Sequence, residues 1–240
     1  ESTRGMSAYP LLISGQSEAA VKDTAQRLQQ HLQDNAFEPL DLAFSLACTR
    51  SHFSHRVALF ANNRDRMSEV LGDYAETQTL KYGVEGIVPT TSAHVAFLFT
   101  GQGSQYATMA KGLYEHSPIF KEALDDICGH FGVHLEHRLD AILFADPESE
   151  EADLLHKTQY TQPALFAIEV ALYRLFESWG ILPQYVMGHS VGELTAAHVA
   201  GIFSLEDACK LVANRGKLME AISEKGAMAS IQAPEETILT

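Results

Sequence analysis

The chain has 240 residues, 46% of them hydrophobic, enough for one large domain or two small ones with an ample core. Its 17 basic and 31 acidic residues give a formal net charge of −14, which argues against nucleic acid or an anionic membrane as a partner. No apolar run approaches the roughly 18 residues of a membrane span or has signal-peptide form, and Cys48, Cys128 and Cys209 are too dispersed for a metal site or a disulfide framework, so the chain reads as cytoplasmic.

In chain order, residues 1–8 read as a frayed end and 9–14 as a strand turning at Gly15. A helix follows from Ser17, with Val21, Ala25, Leu28 and Leu32 recurring along one face. Residues 39–47 predict a short apolar helix, the second half of 52–60 a strand, and 63–71 a third helix. Strands separated by helices over this length imply a small α/β module with its sheet covered on one face. Residues 77–92, with Gly83, Gly86 and Pro89, read as the linker out of it.

Residues 94–99 form a continuous apolar run, the pattern of a strand buried on both faces of a parallel sheet. The loop Thr100-Gly101-Gln102-Gly103-Ser104-Gln105 lacks the Gly-Lys-Ser/Thr of a P-loop and has Tyr106 where a dinucleotide fingerprint needs glycine, so neither nucleotide motif is present. What remains is a glycine-rich loop at the carboxyl end of a strand, able to bring a backbone amide close to a ligand. Helical stretches at 118–127 and around Leu154-Leu155 lead to a better-marked helix at 161–179. There Thr161 stands as the cap, Pro163 in the first turn, and Leu165, Ile168, Leu172, Leu175, Phe176 and Trp179 form a stripe.

Gly188-His189-Ser190-Val191-Gly192 then follows the short apolar run 185–187 and opens a helical stretch. Strand, sharp turn and helix around Gly-x-Ser-x-Gly make a nucleophile elbow, in which a strained serine stands clear of the sheet and the next amide, that of Val191, points at its Oγ. After Gly201, Ser204 with Asp207 predicts the cap of a helix running to about Ile222. Its Ala208, Leu211, Leu218, Met219 and Ile222 fall on one face with Arg215 among them. A guanidinium on an apolar face needs an anion and fixed acceptors: spacing leaves open a protein carboxylate such as Glu193 or the carboxylate of a substrate.

Four segments, Phe97-Leu98-Phe99-Thr100-Gly101-Gln102-Gly103-Ser104-Gln105, Thr161-Gln162-Pro163-Ala164-Leu165, Gly188-His189-Ser190-Val191-Gly192-Glu193 and Asn214-Arg215-Gly216-Lys217-Leu218-Met219, resemble in order and spacing the acyltransferase domains of modular polyketide synthases and the related malonyl-CoA:acyl-carrier-protein transacylases. The resemblance implies an α/β fold in three parts. Residues 1–90, with a core at about 9–75, match a ketosynthase-to-acyltransferase linker domain; 91–226 match an α/β-hydrolase-like parallel core; 227–240 match the start of a small ferredoxin-like subdomain. It implies that Ser190 takes an acyl group from coenzyme A and passes it to the phosphopantetheine of an acyl carrier protein. Gln102 and Val191 would supply the oxyanion amides, and Arg215 would hold the carboxylate of a malonyl-type unit, with Gln162 and His189 also at the substrate. Malonyl-CoA is then a substrate and no resident cofactor is implied. The partners implied are the carrier protein, the adjacent ketosynthase and the C-terminal half of the domain. The family's general base is a histidine about a hundred residues beyond the serine. His189 and His198 do not replace it, the latter lying roughly 12 Å further along a helix. The chain therefore reads as the N-terminal part of such a domain, with serine hydrolase and scaffold fragment as the competing readings.

Overall fold

The computed structural model describes residues 8–78, 80–89, 94–223, 232–233 and 237. The chain divides into two compact units, Glu1–Ala93 and His94–Thr240.

The first unit is built on a three-stranded antiparallel sheet ordered β1-β2-β3, from β1 (Tyr9–Gly15), β2 (His55–Ala61) and β3 (Gly83–Ile87). Between β1 and β2 run α1 (Glu18–Asp34) and α2 (Pro39–Cys48), and α3 (Arg64–Thr77) follows β2. Alternation along the strands puts Leu11, Ile13, Val57 and Leu59 on the buried face, where they meet Val21, Ala25 and Leu32 of α1 and Met67, Leu71 and Tyr74 of α3. The side-chain oxygens of Ser17 and Asn63 cap α1 and α3 by accepting from Ala20 N–H at 3.2 Å and Arg66 N–H at 2.9 Å. The stretch expected to be a linker is not plain loop: its described part contains β3, whose backbone completes the sheet although none of its residues is buried.

In the second unit, β4 (Ala96–Phe99) pairs in parallel with β5 (Tyr185–Gly188), and Phe99 stands opposite Gly188. The crossover between them is helical, as a parallel pair requires. It runs through α4 (Lys111–His116), α5 (Pro118–Phe131), α6 (Leu139–Leu143), α7 (Glu150–Leu154) and α8 (Thr158–Ser178). Beyond the sheet lie α9 (Val191–Val199) and α10 (Leu205–Glu220). The core gathers around α8, with Phe120, Leu124 and Phe131 of α5, Phe166 and Ala167 of α8, Val191 of α9 and Val212 of α10 all buried.

Several expectations are corrected. Leu98 is 72% exposed, so among the described residues β4 is not covered on both faces; Phe97 instead packs edge-on against Tyr173 and Phe176 of α8. Thr161 does not cap α8. The helix starts at Thr158, and the fully buried Thr161 hydroxyl donates back to the Leu155 and Lys157 carbonyls, leaving Pro163 inside the helix and Trp179 largely exposed. On α10 the buried residues are Ala208, Cys209, Val212, Ala213 and Gly216, whereas among the described residues Leu211, Leu218 and, beyond its end, Ile222 are exposed and Met219 is partly so. Small side chains let α10 approach α8 closely, so the packed face is the one with less apolar bulk. The start of the small subdomain expected at 227–240 lies outside the described residues apart from Gln232, Ala233 and Thr237.

Candidate active site

Ser190 makes the turn between β5 and α9 with φ 57° and ψ −114°. Such a conformation costs a non-glycine residue about 1–3 kcal/mol and persists only where its surroundings fix it. A Cβ on Gly192 would lie 2.5 Å from the Phe99 carbonyl oxygen and 2.7 Å from its carbon, and one on Gly188 would overlap the Gly192 carbonyl. Glycine at 188 therefore lets the turn close on itself, and glycine at 192 lets it press against the end of β4. Gly192 N–H donates to the His189 carbonyl at 3.0 Å and Glu193 N–H to the Ser190 carbonyl at 3.1 Å, closing the first turn of α9. Val191 is the first residue of that helix, where an N–H has no intrahelical acceptor and the helix dipole favours negative charge.

Arg215 reaches this turn from α10. Its Nη2 donates to Ser190 Oγ at 3.2 Å, and its Nη1 donates to Gln162 Oε1. The alternative of a Glu193 partner is not realised, and among the described residues Arg215 forms no ion pair. Gln162 is fully buried on α8, and its Nε2 donates to Thr158 Oγ1 at 2.9 Å and to Met219 Sδ at 3.2 Å. Thr158 Oγ1 in turn donates to Gln102 Oε1 at 2.7 Å. Gln102, Gln162, Arg215 and Ser190 are thus joined in one run of hydrogen bonds, with Thr158 as the link that sequence reasoning missed. The Gln102 side chain enters this run as an acceptor through its Oε1. The loop around it is held internally by Gly103 N–H to Gln105 Oε1 at 2.8 Å and by Thr100 Oγ1 with Ser104 Oγ at 3.1 Å.

His189 is exposed, and its ring lies against Gly101, where an added Cβ would collide with Nδ1. His198 is 9% exposed; its Nδ1 donates to the Phe203 carbonyl at 3.0 Å, its ring packs 5.8 Å from Phe166, and burial holds its pKa below the usual value. Among the described residues neither imidazole hydrogen-bonds Ser190. A second residue that sequence reasoning missed is Glu169 of α8, a buried carboxylate that accepts from Thr100 and Thr195. Burial pushes its pKa up, and those hydrogen bonds pull against that shift.

A family model described as the acyl transferase domain matches residues 96–239, and one described as CurL-like, PKS C-terminal matches residues 9–71. The PKS-NRPS hybrid synthetase ATPKS of Aspergillus niger is 43% identical over 229 residues, 92% of this chain and 12% of that protein. The mycoketide-CoA synthase of Mycobacterium tuberculosis is 43% identical over 230 residues, 95% of this chain and 5% of that protein. Among solved structures, the acyl transferase domain of ZmaA superposes with a TM-score of 0.89 at 32% identity over 99% of this chain and 54% of that one. The acyltransferase domain from module 8 of the salinomycin polyketide synthase gives 0.82 at 31% over 90% and 51%. The chain spans about half of these solved domains and a small fraction of the synthases it matches.

Proposed function

The chain belongs to the acyl transferase domain family, and from that premise we propose that Ser190 accepts a malonyl-type acyl group from coenzyme A and delivers it to the phosphopantetheine thiol of an acyl carrier protein in polyketide assembly. Ser190 Oγ attacks the thioester carbonyl, the C–S bond breaks, and coenzyme A leaves as the thiol with the serine's proton. The carrier thiol then attacks the acyl-serine ester, a new C–S bond forms as the C–Oγ bond breaks, and the thiol's proton returns to Oγ. In each step negative charge develops on the carbonyl oxygen, and the Gln102 and Val191 amides are its donors. Arg215 holds the free carboxylate of the acyl unit, Gln162 holds Arg215, and His189 forms a wall along the glycine-rich loop. We place the general base outside the described residues. The first unit serves as the linker to a preceding ketosynthase.

The observation that carries this reading is the Arg215 fork 3.2 Å from a strained elbow serine. A simple esterase has an elbow but gains nothing from a guanidinium beside its nucleophile, whereas a dicarboxylic acyl unit places its second carboxylate there. Incubation of a complete acyltransferase domain containing this chain and the proposed base with malonyl-CoA, followed by intact-mass measurement, tests it. A malonyl adduct on Ser190, lost in Ser190→Ala, supports transfer. Free malonate without an adduct indicates a hydrolase, and no reaction leaves only a scaffold role.

A further inference from the structure

Glu169 is 9% exposed, in the middle of the buried run of α8, and the acyl transfer as described does not use it. Its Oε1 accepts from Thr100 N–H at 2.6 Å and from Thr100 Oγ1 at 2.9 Å, while its Oε2 accepts from Thr195 Oγ1 at 2.8 Å. The two threonines belong to different elements. Thr100 follows β4 and stands two residues before Gln102; Thr195 is the fifth residue of α9, whose first is Val191. Each segment that carries a proposed oxyanion amide is therefore fastened to one oxygen of the same carboxylate.

A side chain that only filled space here would be apolar, as its neighbours Leu165, Ile168 and Leu172 are, because burying a carboxylate is costly without fixed partners. Glu169 has those partners, and all of them hold the glycine-rich loop or the elbow helix. Gly192 presses on the Phe99 and Thr100 carbonyls in the same place, so the two segments are in contact and the carboxylate spans them. We propose that Glu169 is a positioning residue that fixes the Gln102 and Val191 amides relative to each other, so that both reach one oxyanion. The inference rests on the oxyanion roles given under Proposed function.

Three variants separate geometry from bulk. Glu169→Met keeps volume and removes both fastenings. Glu169→Gln keeps both, since its carbonyl can accept from Thr100 and its amide can donate to Thr195 Oγ1. Thr195→Val removes only the elbow-side bond and remains available where Glu169→Met does not fold. Amide hydrogen exchange over residues 100–103 and 191–195 reads the clamp without any chemistry. Acylation of Ser190 by malonyl-CoA in the complete acyltransferase domain that supplies the base, as a maximal rate and a half-saturating concentration, reads its consequence.

Glu169→Met is expected to speed exchange at least about tenfold in both segments and leave α5 unchanged. It should also lower the maximal acylation rate by about 10²-fold, the lower end for loss of one oxyanion donor, with half-saturation moved less than about threefold. Glu169→Gln should restore both readouts to within about fivefold, and Thr195→Val should speed exchange at 191–195 more than at 100–103. Unchanged exchange at 100–103, or acceleration spread evenly through the second unit, would overturn the proposal. So would acylation of Glu169→Met at the wild-type rate. If the exchange pattern appears but wild-type Ser190 takes no malonyl group, the clamp stands and the transferase reading fails.

Discussion

Arg215→Ala perturbs the hydrogen-bonded run where it reaches Ser190, the proposed nucleophile, and the geometry sets what each acyl group is expected to lose. Nη2 lies 3.2 Å from Ser190 Oγ. In a malonyl-serine the carboxylate carbon is only three bonds of about 1.5 Å from Oγ, so rotation of the acyl group brings the carboxylate into the same fork while Nη1 stays on Gln162. A hydrogen bond to a charged group contributes about 1.5–3 kcal/mol. At about 1.4 kcal/mol per decade that is about 10- to 150-fold in rate. Arg215 is half-buried, so a single bond belongs at the lower end and a bidentate pair at the upper. Acetyl has no carboxylate and should be spared or helped by removal of the guanidinium. Time courses of Ser190 adduct formation by intact mass, with malonyl-CoA and acetyl-CoA in separate reactions, give the two second-order rates. Their ratio should fall by about 10- to 150-fold in the variant. Equal losses for both acyl groups would refute the argument and make Arg215 a structural partner of Gln162.

Gln102→Ala should slow Ser190 acylation by less than about tenfold, because the proposed donor is the backbone amide and the side chain serves Thr158; a loss of the roughly 10²- to 10³-fold typical of an oxyanion donor would assign that role to the side chain. Gly192→Ala forces a Cβ to within 2.5 Å of the Phe99 carbonyl oxygen, so urea unfolding of the second unit should show at least the 1–3 kcal/mol of an overpacked core, and an unchanged midpoint would contradict the packed elbow. His198 has a native pKa depressed by burial. Its neutral form is the one the fold favours, so that stability is present above the ordinary histidine value of about 6.5 and is lost as pH falls below it toward the native value. Urea midpoints between about pH 7.5 and 5.5 should decline more steeply for the wild type than for His198→Gln, and parallel declines would exclude His198 as a source.

The elbow was legible because its spacing states a steric requirement: glycines at 188 and 192 leave space that the Phe99 and Gly192 carbonyls occupy, and a serine between them takes φ 57°. Arg215 was legible for a partly wrong reason. Helical periodicity ranked faces by apolar bulk, whereas α10 packs through Ala208, Cys209, Val212, Ala213 and Gly216, which lets its backbone approach α8 and sets Arg215 beside Gln162 at the margin of the contact. The edge strand β3 gave no hydrophobic signal because it contributes backbone hydrogen bonds to β2 and no buried side chain. Links such as Thr158 to Gln102, 56 residues apart, depend on two elements meeting in space, which no local pattern encodes.

Glu169 differs from these, since its signal was present in the sequence. It interrupts the apolar run Ala164-Leu165-Phe166-Ala167-Ile168-Glu169-Val170-Ala171. The reasoning applied to Arg215, that a charge on an apolar face requires a fixed partner of complementary chemistry, holds equally for a carboxylate, whose partners must be donors. A buried carboxylate can be held by a basic side chain or by backbone amides and hydroxyls. Among the described residues the second arrangement is the one found, with Thr100 and Thr195 as the donors. A basic partner would have made a buried ion pair, in which a second charge also loses its water, whereas hydroxyl and amide donors satisfy the carboxylate without one. Both donors belong to segments that flank Ser190, so the contacts that make the buried carboxylate tolerable are the same ones that tie the glycine-rich loop to the elbow helix.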